Sequence, residues 1–208
     1  MPDLHGDHSH IPARNVLAAA GITLLAGAVE LAGAWKGRSL FLVADAIHLL
    51  AHLAIFGILL IPQGRWHRRG EDVTTVMVLA IVLLIALGVE ATSIREFLSP
   101  VHEPPQSAYM LLALGGLAAN LTSAYLFRRG ARERWSFRAA LAHELSDGAL
   151  TVAGLLGVPA IKLFGWTWVD PGLSLLIGAW LLFWAGRLLS RRLRWGPEAW
   201  TKETHPLP

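Results

Sequence analysis

The sequence lacks several residue types on which soluble proteins rely. It contains no cysteine, which excludes disulfides, thiolate metal sites and cysteine nucleophiles. Only 16% of its residues are charged, whereas about a quarter are charged in an ordinary soluble domain. Hydrophobic residues make up 54% of the chain, and many of them lie in long uninterrupted runs. These proportions predict an integral membrane protein whose main partner is the lipid bilayer.

Six apolar stretches are long enough to cross a bilayer, for which about 20 helical residues are needed. They are Asn15–Trp35, Ser39–Pro62, Val73–Arg95, Ser107–Phe127, Ser136–Phe164 and Trp168–Leu189. The connections between them are short, so no second folded domain fits. The sequence therefore predicts an all-α bundle of six transmembrane helices over residues 14–192. A histidine-containing tail (residues 1–13) precedes the bundle, and a short tail (residues 193–208) follows it.

The positively charged residues predict the orientation of this bundle. If the N-terminus lies inside, thirteen of the 18 Lys and Arg residues fall on the inner side and four near the outer side. Because such residues favour cytoplasmic loops, both termini should be cytoplasmic. The same placement explains the excess of basic over acidic residues better than nucleic-acid binding would, so we expect no nucleic-acid partner. No cleavable signal peptide is evident, and we expect the protein in a bacterial cytoplasmic membrane.

Two pairs of metal-ligand side chains lie inside the apolar stretches. The second stretch contains His48 and His52, and the fifth contains His143 and Asp147. Each pair is spaced i, i+4, so its members share one helix face, about 5–6 Å apart at Cβ. Ionisable groups at membrane depth are functional candidates, because hydrocarbon cannot solvate them. Three imidazoles and one carboxylate also form a ligand set suited to a tetrahedral divalent cation.

The expected topology brings the two pairs to one level of the membrane. At a rise of ~1.5 Å per residue, His48 and His52 lie ~13 and ~19 Å below the outer face. In a hydrocarbon core ~30 Å thick, Asp147 and His143 lie ~14 and ~20 Å below the same face. Two antiparallel neighbouring helices would then close one four-ligand site near mid-membrane. We expect this site to carry a transported metal, and we expect no resident cofactor.

Other polar residues near the pairs allow several interpretations. Asp45 could orient an imidazole, relay protons or make a structural contact. Glu144 should point away from the His143 face, and we assign it no ligand role. A single membrane histidine is often only an interhelical hydrogen-bonding group, but two pairs at matched depth favour a metal site. The tail histidines that could capture metal weakly are His5, His8 and His10.

The segments that carry these pairs resemble the cation diffusion facilitator family. SLFLVADAIHLLAH is similar to that family's second span, AALAHELSDGALTVAGLL to its fifth and VDPGLSLLIGAWLL to the start of its sixth. The likeness covers about residues 14–192 in order. It implies a six-span exporter that exchanges cytoplasmic zinc or related divalent ions for protons. Carried over by position, it implies a transport site of His48, His52, His143 and Asp147.

The chain departs from the family pattern in two respects. Position 52 holds His where the family usually has Asp, which bears on metal preference and proton stoichiometry. We also expect the chain to lack the cytoplasmic metal-binding domain that usually follows the sixth span, which leaves open whether it forms a homodimer. Nitrogen-rich ligation favours zinc, with cobalt, nickel and cadmium as competitors.

Proton exchange agrees with the chemistry of these ligands, although two other functions remain open. Imidazole binds metal only when neutral and carboxylate only when ionised, so metal and protons compete for the site. His143-Glu144-Leu145-Ser146-Asp147 nearly matches the H-E-x-x-H motif of metallohydrolases. However, the second His is missing, and four protein ligands leave no position for water. A metal sensor would need a soluble output domain, which we do not expect here.

Overall fold

The computed structural model describes residues 13–37, 52–61, 70–98 and 107–200, and no strand occurs within these ranges. The helices are α1 (Ala13–Gly37), α2 (residues 52–60), α3 (Gly70–Leu98), α4 (Ser107–Phe127), the short α5 (Gly130–Glu133), α6 (Trp135–Phe164) and α7 (Val169–Trp195). A 3₁₀ segment, Gly196–Trp200, follows α7. The predicted class, an all-α membrane bundle, is confirmed.

Four of these helices, α3, α4, α6 and α7, are long and apolar enough to cross a membrane. A shorter apolar stretch, Ala13–Val29, lies in α1. The predicted second span is described only over residues 52–61, so the count of six spans and the cytoplasmic termini remain predictions. Outside the described residues lie His48, Asp45 and the tail histidines.

The bounds of the later helices follow the sequence-based expectation closely. Helix α4 coincides with the predicted span, and α6 differs from its predicted span only by beginning at Trp135. Helix α6 ends at Phe164 and is capped by Gly165, which adopts the left-handed conformation (φ 70°) and donates its amide N–H to the carbonyl of Ile161. Glycine adopts this conformation without steric cost, which explains the stop. Helix α7 continues beyond the predicted Leu189 to Trp195.

Helices α3 and α7 pack antiparallel along much of their length. Asp72, near the start of α3, is paired with Arg192 near the end of α7. Farther along the bundle, Glu90 of α3 lies against Gly178 of α7. Residue numbers therefore rise along one helix as they fall along the other. This is the arrangement that two spans of opposite direction require.

A chain of three fully buried phenylalanines joins α2, α4 and α6. Phe56 meets Phe127 edge to face at a centroid distance of 5.4 Å, and Phe127 meets Phe137 at 5.7 Å. Such T-shaped pairs are worth about 0.5–1.5 kcal/mol each beyond the burial of their area. This aromatic chain holds α2 against the part of α6 that carries the predicted ligands.

Acidic residues at the start of α3 bind the adjacent ends of α6 and α7. The Glu71 carboxylate accepts hydrogen bonds from Arg134 Nε (2.8 Å) and from the Ser136 backbone N–H (2.9 Å), which lie at the start of α6. The Asp72 carboxylate is bound by the Arg192 guanidinium and by the indole N–H of Trp200 at 2.8 Å. The start of α3, the start of α6 and the end of α7 thus lie together. These are helix ends for which the distribution of Lys and Arg predicts a cytoplasmic location.

Candidate metal site

Three of the four predicted ligands, His52, His143 and Asp147, lie together inside the bundle. Nε2 of His52 is 2.8 Å from Oδ2 of Asp147, and Nε2 of His143 is 3.4 Å from the same oxygen. One ligand-type atom from each residue lies within 4.8 Å of the other two. Both histidines are 0% exposed and Asp147 is 6% exposed. Two imidazoles and a carboxylate therefore converge, from α2 and α6, on one small buried volume.

Helix periodicity and aromatic packing explain this convergence. His143 and Asp147 are one turn apart on α6, so both side chains project from the same face. His52 comes from α2, where Phe56 lies one turn later and packs edge-on against the imidazole, with centroids 6.0 Å apart. The His52 and His143 rings approach to 4.6 Å. The aromatic chain that begins at Phe56 therefore also positions His52 beside α6.

Glu144 belongs to the same cluster. Its Oε1 lies 3.0 Å from Nδ1 of His52, and the side chain is 1% exposed. We expected Glu144 to point away from the face of α6 that carries His143 and to have no ligand role; that expectation overlooked its contact with His52 of α2. Glu144 and Asp147 are spaced i, i+3, which also makes them neighbours on a helix. That spacing permits Glu144 to lie near Asp147, but it does not indicate that Glu144 meets His52 of α2.

The cluster concentrates buried carboxylates in an apolar environment. Glu144 and Asp147 both lie beside His52, one at each ring nitrogen. Charges removed from water must be paired or must bind cations to be stable. Two ionised carboxylates and two neutral imidazoles would carry a net charge that one divalent cation balances. The donor set thus suits a divalent metal ion, and the fourth predicted ligand, His48, lies outside the described residues.

Comparisons with known proteins extend over nearly the whole bundle. Residues 16–194 match the family described as the cation efflux transmembrane domain. The chain is similar to the zinc transporter ZitB of Yersinia pestis, with 32% identity over 188 residues covering 85% of this chain and 60% of the relative. The zinc transporter ZitB of Escherichia coli (strain K12) is 33% identical over 199 residues, covering 87% of this chain and 63% of the relative.

A third relative carries a broader name. The cadmium, cobalt and zinc/H(+)-K(+) antiporter of Bacillus velezensis is 26% identical over 167 residues, covering 74% of this chain and 53% of the relative. The chain spans about 60% of the length of the first relatives that it matches. The family match covers most of the chain and includes α2 and α6, so the resemblance predicted from the sequence segments is confirmed. The chain belongs to the cation efflux (cation diffusion facilitator) family.

Proposed function

We propose that this protein exports divalent metal cations, zinc foremost, from the cytoplasm in exchange for protons. The observation that carries the proposal is the buried convergence of His52, His143 and Asp147 in a chain that belongs to the cation efflux family. A membrane helix keeps such groups only where they have partners or a function, because burying them in hydrocarbon is costly.

The chemistry of the donors supports zinc as the main substrate. Imidazole nitrogens and a carboxylate oxygen are common zinc ligands, and His48 would complete a tetrahedral set. Cobalt, nickel and cadmium are the expected competitors, whereas magnesium and manganese prefer sites richer in oxygen. The relatives in Yersinia pestis and Escherichia coli are named as zinc transporters, which agrees with zinc as the main substrate.

Proton exchange follows from the requirements of the same ligands. His52 and His143 can bind metal only as neutral imidazoles, and Asp147 only as a carboxylate, so protons and metal exclude one another. A site that opens to the cytoplasm would load metal, and one that opens to a more acidic exterior would exchange it for protons. The Bacillus velezensis relative is named as an antiporter, which agrees with such coupling.

The proposal includes the arrangement predicted from the sequence. Residues 14–192 would form six spans in a bacterial cytoplasmic membrane, with the tails of residues 1–13 and 193–208 in the cytoplasm and a homodimer left open. Rigid-body movement of helix groups would expose the site to each side in turn. The metallohydrolase alternative has no comparable support, because the matched family and its named relatives are transporters.

Uptake of metal into inside-out vesicles tests this function. Vesicles with an acidic interior should accumulate zinc, and to a smaller extent cobalt, nickel and cadmium. Dissipating the pH gradient should stop the accumulation. Absence of zinc uptake by vesicles that contain the folded protein would refute export, and uptake that is indifferent to the gradient would refute proton exchange.

A further inference from the structure

We propose that Glu144 is a positioning residue of the metal site, which holds the His52 imidazole so that Nε2 faces His143 and Asp147. The role depends on one contact, between Oε1 of Glu144 and Nδ1 of His52, at 3.0 Å. This inference rests on the proposed function, since it assigns a task within the same site. It adds a residue that the ligand spacing in the sequence does not indicate.

The two nitrogens of the His52 ring face two different carboxylates. Nδ1 meets Glu144, and Nε2 lies 2.8 Å from Asp147. In a neutral imidazole one nitrogen carries hydrogen and the other offers a lone pair. A carboxylate at Nδ1 accepts that hydrogen and so leaves the lone pair on Nε2, on the side where His143 and Asp147 lie. A carboxylate that orients a metal-binding histidine in this way is a common outer partner of zinc sites.

Packing alone does not fix the orientation of the His52 ring. The torsional preference of an imidazole about χ2 is broad and roughly two-fold. The torsion itself therefore allows the ring to flip and exchange its two edges at little cost. Phe56 contacts the ring edge-on at an interplanar angle of 88°, which restricts the ring plane without distinguishing one nitrogen from the other. The two carboxylates make that distinction, with Glu144 at Nδ1 and Asp147 at Nε2. Because Asp147 is a proposed metal ligand, Glu144 is the one that can hold the ring while the metal is bound.

Burial strengthens this hydrogen bond. His52 is 0% exposed and Glu144 is 1% exposed, so bulk water has little access to either group. A hydrogen bond in such a low-dielectric environment is electrostatically stronger than one in water. Glu144 is also part of α6, the helix that supplies His143 and Asp147. Its contact therefore fixes the ring of α2 relative to the other two donors.

The experiment compares Glu144→Gln with Glu144→Ala, each in the native sequence and together with His52→Ala. Zinc affinity is measured on purified protein in detergent by competition with a chelating dye. Both substitutions remove the charge, but the glutamine oxygen can still accept the bond from Nδ1. Glu144→Ala should lower the affinity by about 10–100-fold, as is typical for the loss of an outer partner of a metal ligand. Glu144→Gln should bind zinc about five-fold more tightly than Glu144→Ala, because it keeps one buried hydrogen bond.

The advantage of glutamine over alanine should depend on the His52 ring. With His52→Ala, the two variants at position 144 should differ by less than about two-fold, because the ring that they would position is gone. The quantity compared is the zinc affinity of Glu144→Gln divided by that of Glu144→Ala. The proposal stands if this ratio is more than twice as large with the native His52 as with His52→Ala. A ratio that changes by less than that overturns it, because Glu144 would then act by its charge alone or through general packing.

Two further measurements distinguish a failure of the positioning role from a failure of the proposed metal site or of protein folding. If the native protein binds no zinc, or if Asp147→Ala leaves its affinity unchanged, the proposed site itself is wrong. If Glu144→Ala does not fold in the absence of metal, Glu144→Asp replaces it, since this variant keeps the charge but withdraws the oxygen by one methylene. Its zinc affinity should fall more than three-fold below that of the native protein, and a smaller loss overturns the positioning role.

Discussion

Replacing Arg192 by alanine should weaken the contact between the start of α3 and the end of α7. The guanidinium binds both carboxylate oxygens of Asp72, with Nη2 lying 2.6 Å from Oδ2. Trp200 donates to the same carboxylate from the segment that follows α7. After Arg192→Ala, Asp72 keeps the indole contact but loses the guanidinium that binds both of its oxygens.

The size of the effect follows from the burial of the pair. Removing one partner of a buried ion pair costs about 3–5 kcal/mol, whereas an exposed pair is worth only about 0.2–1 kcal/mol. The side chain of Asp72 is 8% exposed and that of Arg192 is 24% exposed, which places this pair between the two cases. We therefore expect a loss of about 2–3 kcal/mol in the free energy of unfolding.

Thermal unfolding of the purified protein in detergent measures this loss. For a chain of this size, 2–3 kcal/mol corresponds to a midpoint lower by about 4–12 °C. Arg194→Ala is the matched control, because Arg194 lies in the same last turn of α7 but is exposed. Equal midpoints for the two variants would refute the reasoning, since they would mean that the contact with Asp72 contributes nothing beyond the loss of a surface charge.

Two further substitutions test the packing of the bundle and the role of position 52. Gly157→Ala should destabilise the protein by about 1–3 kcal/mol, because the added Cβ would lie 2.7 Å from Cβ of Asp170. Gly154→Ala, whose Cβ would lie 3.9 Å from the Asp170 carboxylate oxygens, should be tolerated, and equal thermal midpoints for the two would contradict this packing. His52→Asp places another carboxylate beside Glu144 and should admit manganese and cadmium more readily. Competition against zinc measures the change, and an unaltered metal preference would mean that His52 is not a ligand.

The long helices could be predicted from the sequence because apolar run length alone determines a membrane span. Helix α4 has the predicted bounds, and α6 differs at its start by one residue. The sixth span was predicted to end at Leu189, because the apolar run stops at the arginines that follow it. In the structure Arg192 has a buried partner in Asp72, so the helix continues to Trp195.

The spacing of His143 and Asp147 indicated their shared face, but it could not indicate which side chains of another helix would meet them. Glu144 was missed for this reason, since its importance appears only when the His52 ring of α2 reaches α6. The contacts of Glu71 with Arg134 and Ser136 join residues more than sixty positions apart. No local pattern in the sequence predicts which distant partner such a carboxylate will bind.

Zinc flux through variants of the cluster tests the central claim most directly. His143→Ala and Asp147→Ala should each abolish pH-gradient-driven zinc uptake by inside-out vesicles at native protein levels, because the loss of one donor weakens zinc binding too far for transport. Thr92→Ala is the control, since Thr92 is exposed and its hydroxyl bonds to carbonyls of its own helix. It should transport zinc at the native rate. Native zinc flux in a folded Asp147→Ala or His143→Ala variant would contradict the assigned site.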